Sequence, residues 1–185
     1  MKKFAYLCLL FYIHANGQGL FNWPEEPITY KLVKIDGLSQ GQLYNGTTEW
    51  IEKTIISPDE VIKKSLDIEK VRFQGIKEDL FEVAAVFGSY FFDGRYTIEV
   101  TFKDGEYKFE PISLERYIHS DLRDLRFKGR WLPISLDNPD YLYNRKGKLR
   151  KHSRNLPEAI NGLFNSLNRD LKAYLTGVAK EKKDY

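Results

Sequence analysis

The sequence predicts an α+β fold, in which one antiparallel sheet of about five strands has a helix after its first strand and a long C-terminal helix packed on one face. Three patterns support this class: a capped amphipathic helix after Ser39, an alternating hairpin around Asp104-Gly105, and a second amphipathic helix over residues 155–178. The chain has 185 residues, of which 42% are hydrophobic and 30% are charged, so it can bury one core. We therefore expect a single domain over residues 28–178.

Residues 1–17 have the pattern of a secretory signal peptide. Two lysines precede the apolar run 4–13, and a small-x-small site at residues 15–17 favours cleavage before Gln18, with cleavage after Ala15 as the alternative. The run is about half as long as a membrane-spanning helix, so we expect no transmembrane segment. We expect export to the periplasm or the extracellular space. Cleavage would remove the only cysteine and two lysines, which lowers the formal net charge from +3 to +1.

The first strand and the first helix come next. Residues 18–27 are predicted to be a linker, and residues 28–35 alternate between apolar and polar side chains as a strand does. Ser39 and Gln42 form a capping box, and Ser57-Pro58 ends the helix that it opens. We expect one face of this helix to pack on the core through Leu43, Thr47, Trp50, Ile51 and Thr54.

Residues 61–68 and 71–76 are predicted to form a hairpin of two strands. The following residues, 77–92, are ambiguous, because their apolar side chains fit both a short helix and a buried strand. From Phe87 onward we favour a strand.

The clearest local pattern is the hairpin over residues 96–112. Asp104-Gly105 between two alternating runs predicts a type I′ turn, and pairing Lys103 with Glu106 sets the register. The large apolar side chains then share one face in the pairs Phe102–Tyr107, Val100–Phe109 and Ile98–Pro111. The opposite face is polar and is predicted to be solvated, with Thr97, Glu99, Thr101, Lys108 and Glu110.

Residues 114–154 lose this regularity and are predicted to be a variable insertion rich in turns, which follows a regular core over residues 28–113. A second capping box, Asn155 to Glu158, opens the C-terminal helix over residues 155–178. Residues 179–185 are predicted to be a tail.

Several of these segments resemble a known family, the domain of unknown function 4468. In the first helix, the residues that resemble the family are Leu43-Tyr44 and Glu49-Trp50-Ile51. The part most specific to the family is the hairpin, with the strand 96–100 followed by Lys103-Asp104-Gly105-Glu106-Tyr107. The resemblance covers about residues 27–113. It implies a fold like that of the TATA-binding protein, in exported proteins of Bacteroides-type bacteria. It implies no activity, because none is established for the family.

Sequence motifs for catalysis are missing, so we assign no catalytic, cofactor-binding or metal-binding residue and expect no cofactor. His119 has Glu115, Asp121 and Asp124 as sequence neighbours. These residues permit a metal or acid-base hypothesis, and an exposed polar turn explains them equally.

Aromatic and cationic residues in the insertion are the candidate contacts for a ligand or partner. Residues 145–154 contain six cations and no acid, which fits either an anion-binding patch or a solvated loop that leads into the last helix. The candidate contact residues are Trp131, Tyr141, Tyr143, Arg145, Lys146, Lys148, Arg150, Lys151 and Arg154.

The sequence is compatible with two functions. The first, which we prefer, is a non-catalytic exported envelope module that binds a partner protein or a small apolar or glycan ligand between the sheet, the closing helix and residues 114–154. The alternative is a periplasmic hydrolase that uses carboxylates and His119. We expect no nucleic-acid partner, because an exported protein seldom meets chromosomal DNA, and fold alone does not indicate function.

Overall fold

The computed structural model describes residues 19–55, 63–64, 68–85, 88–119 and 129–181, and the predicted signal peptide lies outside these ranges. Two short 3-10 turns, Asp140–Leu142 and Lys151–Ser153, precede the last helix. The strands and helices, in chain order, are β1 (Lys31–Lys34), α1 (Gln40–Thr54), β2 (Lys63–Lys64), β3 (Lys70–Ala85), β4 (Gly88–Lys103), β5 (Glu106–Ile118), β6 (Arg130–Ile134) and α2 (Leu156–Glu181).

The strands form one sheet in the order β1-β5-β4-β3-β2, and β6 pairs with the second half of β5. All of these pairs are antiparallel. The predicted α+β class, the helix after the first strand and the long C-terminal helix are confirmed. The strand β6 was not predicted, because its sequence Arg-Trp-Leu-Pro-Ile lacks polar alternation and contains a proline.

The hairpin of β4 and β5 has the predicted register, with Lys103 opposite Glu106 and Phe102 opposite Tyr107. Its turn is not the predicted type I′, because that type needs a positive φ at both central residues and only Gly105 has one, at 74°. The turn is hydrogen-bonded to the start of α1. The Asp104 carboxylate accepts a hydrogen bond from the backbone N–H of Gln40 at 2.8 Å.

The ambiguous residues 77–92 form strands wherever the structure describes them, since β3 continues to Ala85 and β4 begins at Gly88. The rings of Phe81 and Phe92 stack with centroids 5.1 Å apart. The register of β3 shifts between Lys77 and Phe81, and this irregularity explains why strict alternation is absent. The predicted hairpin before it is present as β2 and β3, although most of residues 61–68 lies outside the described residues.

The capping box at the start of α1 is confirmed, with the Ser39 N–H donating to the Gln42 side chain at 3.0 Å. The buried face of α1 includes Trp50, whose ring packs edge-on against Phe73 of β3. Thr54 is exposed, contrary to the prediction, because the buried face continues at Ile55 just beyond the helix end.

The helix α2 packs on the same face of the sheet as α1. The Tyr107 hydroxyl of β5 donates to the Asn168 side chain of α2 at 2.9 Å. The predicted amphipathic face of α2 is buried, with Ile160, Leu163, Phe164, Leu167, Leu171 and Leu175. In the described part of the chain neither helix covers the other face of the sheet, which we call the open face. No helix among the described residues is long and apolar enough to cross a membrane.

Residues 19–27, which we call the N-terminal strap, pack against α2 although the sequence predicts a linker there. Trp23 is fully buried and Phe21 is 5% exposed. The side-chain amide of Asn161 donates to the Trp23 carbonyl at 2.7 Å and accepts from the Trp23 N–H at 2.8 Å. Asn165 makes the same pair of bonds to Phe21, at 3.0 and 2.7 Å. These two asparagine side chains thus satisfy backbone hydrogen bonds of the strap, as a neighbouring β-strand would.

Candidate functional site

The open face is polar, and several of its charged side chains pair with one another. Arg72 and Lys70 of β3 hold the Glu99 carboxylate of β4 at 2.6 and 3.5 Å. Burial of Glu99 raises its pKa, and the hydrogen bonds and charges of the two cations outweigh burial, so that the pKa lies below the ordinary 4.5. Glu99 is only 9% exposed, so the predicted solvation of this face fails here.

Aromatic and cationic side chains meet where β6 joins β5. The sheet register places Trp131 directly opposite Tyr117, and their ring centroids are 5.1 Å apart. The Arg95 guanidinium of β4 lies 4.6 Å from the centre of the Trp131 ring. Arg95 also pairs with Glu115 at 2.6 Å. Arg95, Glu115 and Tyr117 alternate along their strands with side chains of the helix side, which include the buried Tyr96, Leu114 and Ile118, so this group lies on the open face.

A histidine and an aspartate complete the group. The His119 Nε2 lies 3.3 Å from the Asp93 carboxylate, and its ring packs edge-on against Tyr117 with centroids 5.0 Å apart. Asp93 also accepts a hydrogen bond from the Asp79 N–H at 3.0 Å. We call the six residues Asp93, Arg95, Glu115, Tyr117, His119 and Trp131 the open-face cluster.

The geometry around His119 lends no support to the hydrolase hypothesis. Glu115, one of the predicted acidic neighbours, is held by Arg95, and the imidazole faces Asp93 instead. Asp121 and Asp124 lie outside the described residues. Across the described ranges there is no group of three or more side chains suited to holding a metal ion.

The predicted contact residues divide between the two faces of β5. Trp131 belongs to the open-face cluster. Tyr141 lies instead beside Arg116, whose guanidinium is 5.7 Å from the centre of the Phe92 ring on the helix side. Burial raises the pKa of Tyr141 to about 12, although the charge of Arg116 acts in the opposite direction. Adjacent positions on a strand point to opposite faces, so Trp131 and Tyr141 do not form one site.

The remaining predicted residues form a compact basic turn, residues 141–154. The Asn144 side chain accepts hydrogen bonds from the backbone N–H groups of Lys146 and Lys148, at 2.8 and 3.2 Å. Tyr143 pairs with Leu149 across the turn. The cations Arg145, Lys146, Lys148, Arg150, Lys151 and Arg154 are all exposed.

A cavity of about 420 Å³ lies between the sheet and α2, where the sequence predicts a ligand site. Its walls come from α1, β3, β4 and α2, and they include Leu80, Tyr96 and Leu163. None of its lining residues comes from residues 114–154, which were predicted to contribute. Burial raises the pKa of Tyr96 to about 12.

Sequence reasoning found Trp131 but missed its neighbours Asp93, Arg95 and Tyr117. The available signal was the alternation of β4, which places Asp93 and Arg95 on the polar face together with Thr97. The pairing of Tyr117 with Trp131 required β6, which the sequence pattern does not indicate.

Known proteins share this fold. Residues 30–115 match the family described as domain of unknown function (DUF4468) with TBP-like fold. A crystal structure of a DUF4468 family protein from Bacteroides ovatus is 15% identical, covers 88% of this chain and 94% of its own, and has a TM-score of 0.62. A TBP-like protein from Parabacteroides distasonis is 14% identical, with coverages of 82% and 90% and a TM-score of 0.49. No curated protein matches the chain. The predicted family resemblance is confirmed.

Proposed function

We propose that this protein, in which residues 30–115 form a DUF4468 domain with a TBP-like fold, is an exported, non-catalytic binding module that holds a saccharide on its open face. The observation that carries the proposal is the open-face cluster, where the rings of Trp131 and Tyr117 lie beside a guanidinium and two carboxylates.

The chemistry of this cluster suits a sugar. A saccharide has apolar C–H faces, which pack on aromatic rings, and a rim of hydroxyl groups that both donate and accept hydrogen bonds. The Asp93 and Glu115 carboxylates accept such bonds, and the Arg95 guanidinium donates them in a planar fork. The mutual pairing of these groups keeps their orientation before a ligand arrives, which reduces the ordering cost of binding.

Two further features support the proposal. Residues 1–17 have the charged, apolar and small-residue regions of a signal peptide, which favours a location in the periplasm or outside the cell. The cluster also lies on a face that no helix covers in the described part of the chain, so a chain-like ligand can approach along the strands.

Tryptophan fluorescence offers a direct test. The chain has three tryptophans; Trp23 and Trp50 are buried, whereas Trp131 is partly exposed. Titration with a panel of soluble oligosaccharides, namely cellohexaose, maltohexaose, chitohexaose and mannohexaose, should quench or shift the emission of Trp131. Calorimetry on the same panel measures the affinity.

The variant Trp131→Ala should weaken binding by roughly two- to tenfold, because aromatic packing contributes about 0.5–1.5 kcal/mol beyond burial. Tyr30→Ala is the matched control, since Tyr30 is also an exposed aromatic residue beside a lysine of β5, Lys108, at the far end of the open face. Equal affinity in both variants would contradict the proposed site. No binding to any of the four sugars would contradict the proposed class of ligand.

A further inference from the structure

The basic turn is the second surface of the molecule that points to a ligand. Its six cations are exposed, and none of them pairs with a carboxylate among the described residues. On the open face, by contrast, Arg72, Arg95 and Lys108 each meet a carboxylate. The turn thus differs from these three sheet cations, because it gathers six positive charges that have no carboxylate partner in the described part of the chain.

This turn is held in a defined shape. Its base is anchored by Leu142, which is fully buried, and the Arg150 N–H donates to the Leu142 carbonyl at 2.8 Å. Its tip is closed by Asn144, whose backbone N–H donates to the Lys148 carbonyl at 2.9 Å, and by Gly147, which has a φ of 70°. The backbone is therefore ordered before any partner binds, which favours tight association.

The distribution of charge favours an extended anionic surface over a small anion. The six cations are exposed along the turn, and they do not line the cavity between the sheet and α2. Tyr141 is 44% exposed at the base of the turn. Tyrosines next to lysines and arginines are typical of segments that lie at the headgroup level of a membrane, because the ring is apolar and its hydroxyl is polar.

We propose that residues 141–154 dock the protein on the phosphate-bearing headgroups of an anionic lipid surface. Each lysine or arginine near such a surface contributes about 1 kcal/mol, so several of them are needed for stable binding. This docking does not depend on the proposed saccharide site, because the two surfaces share no residue.

Co-sedimentation of the full chain with vesicles tests the proposal. One set of vesicles contains phosphatidylcholine and phosphatidylglycerol in equal parts, and the other contains phosphatidylcholine alone. The neutral vesicles report any binding through the apolar residues 4–13. We expect strong binding to the anionic vesicles, which salt weakens, and little additional binding to the neutral ones.

The variant Arg145→Glu, Lys146→Glu, Lys148→Glu should lower binding to anionic vesicles by roughly 100-fold, because three contributions of about 1 kcal/mol are lost. The control variant Lys34→Glu, Lys172→Glu, Lys180→Glu changes the net charge equally at exposed sites outside the turn. It should lower binding by less than about threefold, because charges far from the surface are screened. Circular dichroism confirms that both variants fold.

Three results would overturn the proposal: equal binding to both kinds of vesicle, equal losses in the two variants, or release of the protein from anionic vesicles by inorganic phosphate at constant ionic strength. The last would mean that the turn recognises an isolated phosphate ion. The variant Trp131→Ala should bind vesicles like the unmodified chain, which separates this test from that of the saccharide site.

Discussion

The attachment of the N-terminal strap to α2 leads to a quantitative prediction. Asn161 and Asn165 each donate one hydrogen bond to the strap and accept one from it, at distances of 2.7 to 3.0 Å. Replacing either side chain by alanine removes both bonds and leaves a backbone N–H and a carbonyl of the strap without their partner. The strap should then bind α2 less tightly.

The expected loss of stability follows from the number of hydrogen bonds that are removed. A hydrogen bond contributes about 1 kcal/mol to stability on balance, so each asparagine contributes about 2 kcal/mol. Alanine is a better helix former than asparagine by roughly 0.5 kcal/mol, which offsets part of the loss. Each single variant should therefore lower the free energy of unfolding by about 1.5 kcal/mol, and the double variant should lower it by about 3 kcal/mol.

Urea denaturation followed by circular dichroism measures these values. The midpoint should fall while the dependence on urea stays the same, because the folded core is unchanged. Arg169→Ala is a control in the same helix, since the Arg169 side chain is 75% exposed and pairs with its neighbour Asp170. A loss below about 0.5 kcal/mol in the double variant would refute the argument, because it would show that the strap does not depend on these bonds.

The remaining predictions concern pH and two glycines. Tyr96 ionises near pH 10 when unfolded and only near 12 in the fold, so stability that is present below pH 10 should fall by about 3 kcal/mol between these values. Tyr96→Phe should flatten this part of a plot of melting temperature against pH, and an unchanged slope would contradict the assignment. In α1, Gly41→Ala should raise stability by about 0.5–1 kcal/mol, because nothing lies near the new Cβ. Gly46→Ala should be less stable than Gly41→Ala by at least about 1 kcal/mol, because its Cβ would lie 2.8 Å from the buried Leu175, and equal urea midpoints would argue against this packing.

The elements that the sequence predicts well are those that depend on neighbouring residues. The hairpin of β4 and β5 is one example: alternation and a glycine at the turn determine which residues face each other, and the register from Lys103 to Ile98 is as predicted. The turn type was wrong because Asp104 bonds to Gln40, a residue 64 positions earlier in the chain. Local chemistry thus predicts the pairing, and a distant contact decides the shape of the turn.

The open-face cluster depends on contacts that local patterns do not contain. Asp93 and Arg95 lie on β4, Tyr117 lies on β5 with His119 just beyond its end, and Trp131 lies on β6, so the group exists only when three strands align. The attachment of the strap also depends on a contact between distant residues, because Asn161 bonds to a residue 138 positions away. An asparagine on a helix surface gives no indication of whether its amide faces water or another segment.

The geometry of strand β5 explains why the candidate contact residues predicted from the sequence lie on two separate surfaces. Trp131 and the basic turn lie in one stretch of sequence, but Trp131 packs on Tyr117 whereas Tyr141 lies beside Arg116. Arg116 and Tyr117 are consecutive residues of a strand, so their side chains leave the sheet on opposite sides. Trp131 and Tyr141 therefore belong to different surfaces of the sheet. Because the two surfaces share no residue, substitutions at one should leave binding at the other unchanged.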